Sequence, residues 1–112
     1  MDIPMKVFRM IESWVAPDQA KAKGIIERTV EVMSRDGDKA GVEFLRSQGL
    51  TSDFYLQNPS FAVAAGIAYG SSGDLETGKA LTLLGLEHGR FSLPQIQRLL
   101  KAWAEVERLN KA

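Results

Sequence analysis

"AAGIAYGSSGD", residues 64–74, combines three alanines, three glycines and two serines with a single isoleucine and a single tyrosine. Three readings compete for it: a flexible linker, a phosphate-cradling loop, or a helix face kept small so that another helix can approach closely. A linker is disfavoured, because uncharged alanine, isoleucine and tyrosine at this density would not stay solvated. The stretch lies within twenty uncharged residues, Phe54 to Gly73. Its continuous apolar part, Phe61 to Tyr69, is far shorter than the ~20 residues that a membrane span needs. It therefore reads as the most buried segment of a soluble helical protein.

The following residues, "LETGKA", place Gly73, Gly78 and Lys79 at the spacing of a phosphate-binding loop. Ala80 stands where such a loop needs a hydroxyl for magnesium, and Asp74 and Glu76 put acid inside a turn whose amides would have to face phosphate. A capped helix start explains the same residues, with Asp74 as the cap.

Apolar spacing outside this stretch is also helical. Ile3, Val7, Met10, Ile11 and Trp14 form one stripe, with Asp2 as an expected cap ahead of Pro4. Ala22, Ile26, Thr29, Val30 and Met33 form a second stripe, which ends at Gly37. Asp38 is expected to cap a third helix stopped by Gly49, and a short turn of helix is expected at Ser52 to Gln57. Asn58 and Pro59 read as N-cap and first residue of the small-residue helix. Ser92 and Gln95 have capping-box spacing before a long last helix, Leu93 to about Asn110, whose expected face is Ile96, Leu99, Leu100, Trp103, Val106 and Leu109. On its polar side Lys101 with Glu105 and Glu107 with Lys111 are expected surface pairs. The expected fold is a single all-α domain over residues 1–112, with six or seven helices in stacked antiparallel hairpins closed by the long last helix. A core of ~65% of the unfolded surface suits this length.

Composition narrows the function. Fourteen basic residues balance fourteen acidic ones, which argues against a nucleic-acid or anionic-membrane partner. The chain has no cysteine and one histidine, so thiolate chemistry is excluded and any metal site would be all-oxygen. No calcium-loop spacing is present. His88, just before Gly89, is explained by its favourable interaction with a helix C-terminus, and no serine or acid stands at a telling distance from it. These features point away from an enzyme: no catalytic residue, cofactor site or metal site is assigned. The first residues lack a signal-peptide pattern, and a cytoplasmic setting is expected.

Two resemblances follow from particular residues. "GRFSLPQIQRLLKAW", residues 89–103, locally resembles the stretch that opens a helix in MerR-type regulators, which implies DNA binding as an alternative function. Gly66, Tyr69, Gly73, Gly78 and Gly85 resemble the spacing of a tetratricopeptide (TPR) helical hairpin. "YGSSGDLETGKALTLLGLEHG", residues 69–89, is similar to the pentatricopeptide relative of that repeat. Ala62 and Thr82 depart from the pattern's large residues and Arg90 from its proline. The TPR resemblance implies a protein-protein interaction module, an adaptor, regulator or small chaperone that binds an apolar segment of a partner protein or peptide. It implies that Ser60, Val63, Ile67 and Ser71, on the inward face of the first helix, hold that segment. A homodimer is also expected, from the aromatic surface of Trp14, Phe54, Tyr55, Phe91 and Trp103.

Overall fold

A computed structural model of the chain describes residues 3–111. It is all-α: seven helices, with no strand among the described residues. They are α1 (Ile3–Glu12), α2 (Ala20–Asp36), α3 (Asp38–Ser47), α4 (Ser52–Gln57), α5 (Pro59–Ser71), α6 (Leu75–His88) and α7 (Leu93–Lys111). The expected cap Asp2 lies outside the described residues.

α5 is the hub, packing against α1, α3, α4, α6 and α7. Every residue from Ser60 to Gly70 is buried, so the helix has no polar side and is enclosed by its neighbours. Its closest partner is α6, with which it forms an antiparallel hairpin. A Cβ on Gly66 would stand 2.7 Å from the Gly78 carbonyl oxygen, and one on Gly78 would stand 2.7 Å from the Gly66 carbonyl oxygen. Farther along, a Cβ on Gly85 would lie 2.5 Å from the Pro59 carbonyl oxygen. Each obstruction is backbone, which cannot rotate aside as a side chain can. The small residues of the central stretch therefore permit direct backbone contact between two helices.

The turn of this hairpin is built from local chemistry. Gly73 has φ 99°, a left-handed conformation that glycine adopts without a Cβ penalty. The Asp74 N–H donates to the Tyr69 carbonyl (3.0 Å) and the Gly73 N–H to the Gly70 carbonyl (3.0 Å), the paired bonds of a Schellman ending. Asp74 then caps α6 by accepting from the Thr77 N–H at 3.1 Å. "GDLETGKA" is thus a turn and a capped helix start, and the segment before it is helix α5 where a phosphate loop requires a strand. Arg46 of α3 fastens this turn, donating to Asp74 at 3.3 Å and stacking its guanidinium 5.1 Å from the Tyr69 ring centre.

Around the N-terminal half of α5 the core becomes aromatic. Phe61 meets Phe8 edge to face at 5.7 Å and Phe54 at 5.2 Å, with Tyr55 alongside. Burial pushes the Tyr55 hydroxyl up to about 12. The remaining aromatics expected to feed a dimer, Trp14, Phe91 and Trp103, pack at least partly on the core within one chain. Phe91 lies over Gly89 and its ring centre is 6.2 Å from that of Trp14.

Several local expectations are corrected. Asp38 is the first residue of α3, and its N-cap is Gly37 at φ 94°, where an aspartate would be strained. Asn58 takes the N-cap position of α5 ahead of Pro59, as expected, but its side chain makes no capping bond; its Nδ2 donates backward to the Phe54 carbonyl at 3.0 Å and closes α4. Glu105 pairs with Arg108, one turn ahead, and not with Lys101. No Glu107–Lys111 ion pair is present among the described residues. Leu100 lies outside the buried face of α7, which is anchored by Leu99 and Val106. The capping box at Ser92 and Gln95 forms with both of its bonds, at 2.8 and 3.3 Å.

Candidate functional site

The four residues expected to bind a partner share α5, and the structure places them in or beside the core. Val63 and Ile67 have no exposed surface, and Ser60 is buried. Val63 packs against Gly85 of α6. Ser71, at the last turn, is half-buried, and its hydroxyl is enclosed without a hydrogen-bond partner. No partner reaches Val63 or Ile67 without separating α5 from the helices around it. The smallness that suggested a ligand groove is used within the chain by α6.

Leu56 of α4 is exposed by itself, and the other exposed large apolar side chains lie one layer farther out, on α6 and α7. Leu83 is 64% exposed and Leu100 49% exposed. Together with Leu86, Trp103, Thr82 and Lys79 they line a cleft of about 210 Å³ between the two helices. The cleft exists because α7 rests on α5 and α1, with little direct packing on α6. Gly70 makes that seat: a Cβ there would lie 2.9 Å from both Trp103 and Val106 side chains. Asn110 adds a tie, its Nδ2 donating to the Gly70 carbonyl at 3.0 Å. Leu93, 67% exposed, begins α7.

The helical spacing that turns Leu100 and Trp103 toward α6 turns Arg98, Lys101, Ala102 and Glu105 the other way, toward α1. There they border a second groove, of about 320 Å³, with Ile3, Val7 and Met10 on its other wall. α7 is thus flanked by two apolar channels, one walled by leucines and one rimmed by charge.

His88, the one histidine of the chain, lines neither channel. His88 is exposed at the last residue of α6, consistent with the favourable position of a histidine beside helix carbonyls. The described residues contain no cluster of three or more histidine or acidic side chains able to hold a metal ion. No helix among them is long and apolar enough to cross a membrane. Asp74 is held below the usual carboxylate range, first by the Thr77 N–H and further by Arg46, a capping role that accounts for its shift.

The chain matches no known protein family, no curated protein and no solved structure.

Proposed function

We propose that this protein is a protein-protein interaction module that holds an apolar segment of its partner on the α6–α7 flank. One observation carries the reading: Leu83 and Leu100, large apolar side chains on two different helices, stand exposed on the walls of one cleft. Scattered single leucines on a surface need no explanation, but a cluster that lines a concavity is a typical setting for protein contact. Leu86 and Trp103 deepen it, and tryptophan is a frequent anchor of binding energy at interfaces. Burying the exposed part of these two leucines against a partner would contribute roughly 2–3 kcal/mol before the costs of association. The spacing of Gly66, Tyr69, Gly73, Gly78 and Gly85 in the sequence resembles a TPR hairpin, and that resemblance is in keeping with a protein-binding role, here with the ligand on the outer flank and not on the inward face of α5.

A photo-crosslinking amino acid installed at position 83 or 100 tests this in cells. A discrete adduct of the same mass from both positions is expected, with none from position 23 on α2. Equal labelling from all three positions, or no adduct from 83 and 100, would remove the leucine cleft as the docking site.

A further inference from the structure

Beyond the leucine cleft, we propose that the groove between α1 and α7 binds an amphipathic helix of a partner protein whose apolar stripe is flanked by aspartate or glutamate. The groove has an apolar floor made by Ile3, Val7, Met10 and Ala102. Met10 adds an unbranched, adaptable side chain suited to repacking around a ligand. On α7 the rim carries Arg98 and Lys101, both exposed, and neither has an ion-pair or hydrogen-bond partner among the described residues. Among the described lining residues the one acid, Glu105, is neutralised by Arg108. In a chain whose formal net charge is zero, this groove is therefore locally cationic. Such a rim favours an acidic partner in encounter and register, while the apolar floor supplies the burial.

Shape selects a helix among acidic, apolar ligands. The lining residues run from Ile3 to Met10 on α1 and from Arg98 to Glu105 on α7. Each span is about two helical turns, or roughly 10 Å. That length matches apolar anchors at i, i+3 or i+4, and i+7 of a helix laid in the groove. The groove is open to solvent. A helix brings its backbone hydrogen bonds with it and covers the opening, whereas a free fatty-acid chain would leave much of its length in water.

The probe is a fluorescein-labelled synthetic helical peptide with leucines at i, i+4 and i+7 flanked by glutamates, titrated by fluorescence anisotropy against the full chain. Its counterpart has lysine at every glutamate. The glutamate peptide is expected to bind, to weaken as salt is raised, and to shift the amide resonances of Val7, Met10 and Ala102. The double variant Arg98→Glu, Lys101→Glu should weaken it by about ten-fold or more and should bind the lysine peptide better than the parent does. Should the double reversal unfold, Arg98→Gln with Lys101→Gln provides the same comparison without added acid. The proposal is overturned by absence of glutamate-peptide binding at ~1 mM, by equal binding of the lysine peptide to the parent chain, or by shifts confined to the Leu83 and Leu100 region. It is likewise overturned if dodecanoate but not the peptide occupies the groove, or if the same amides shift on dilution of the protein alone, which would assign the groove to a second copy of the chain.

Discussion

α5 and α7 are both rich in apolar residues, yet they bury them in opposite ways. α5 is enclosed on every side, with Phe61 filling the aromatic core at one end, while Gly66 and Gly70 at the other let helix neighbours come close. α7 buries one narrow stripe, Leu99 and Val106, and leaves Leu93 and Leu100 exposed. The difference shows where apolar surface is structural and where it is available. Glycine in α5 removes side chain so that helix backbones meet; leucine on α6 and α7 adds side chain where no helix covers it.

Among truncations of the core, the largest effect should come from the Phe61 end of α5. Phe61→Ala removes a fully buried ring in contact with Phe8 and Phe54, and should cost ~3–5 kcal/mol in urea unfolding. A loss below 1 kcal/mol would mean that this end of α5 is not core.

Glycine substitutions sharpen the contrast next, because the same change should have opposite signs at two positions. Gly66→Ala drives a methyl group into α6 backbone and should destabilise by ~1–3 kcal/mol. Gly24→Ala on α2 meets no atom within 4 Å and should stabilise by ~0.5–1 kcal/mol through helix propensity. Thermal unfolding of the two variants checks both signs, and equal shifts would refute close α5–α6 packing.

A smaller effect is expected at the turn. Asp74→Ala removes the cap of α6 and should cost ~1 kcal/mol at neutral pH. The folded-state pKa of Asp74 is depressed, so the stability it contributes is present above its unfolded value and is lost as pH falls through the folded one. The gap between parent and Asp74→Ala should therefore narrow below about pH 4, which paired urea titrations across acid pH would show. A gap that widened in acid would contradict the capping role.

Much of this was legible in sequence because it depends on neighbours in the chain. The bounds of α4, the Asp74 cap, the Gly73 ending and the Ser92–Gln95 box are all local chemistry. Asn58 holds the expected N-cap position, but its side chain had two backbone choices, the helix ahead and the helix behind, and took the second. Phe8 was absent from the expected stripe of α1, although it is fully buried. It sits beside Val7 on a face wide enough to meet both α5 and α2.

The site was harder to read for a related reason. Periodicity marks a leucine as apolar-facing, but whether a neighbour covers that face is set by tertiary packing. Ile67 and Leu83 look equivalent as residues on apolar helices, and only the tertiary packing of the other helices around α5 encloses one and leaves the other in the open. The two walls of the α1–α7 groove join residues some ninety positions apart, which no local spacing could bring together.

One paired measurement tests this division most directly: urea unfolding of Ile67→Glu beside Leu83→Glu. Ile67→Glu buries an unpaired carboxylate and should abolish cooperative folding or cost more than ~4 kcal/mol. Leu83→Glu should unfold within ~0.5 kcal/mol of the parent chain, as an exposed position does. Comparable losses at the two sites would contradict the assignment of α5 as core and of the leucine flank as free surface.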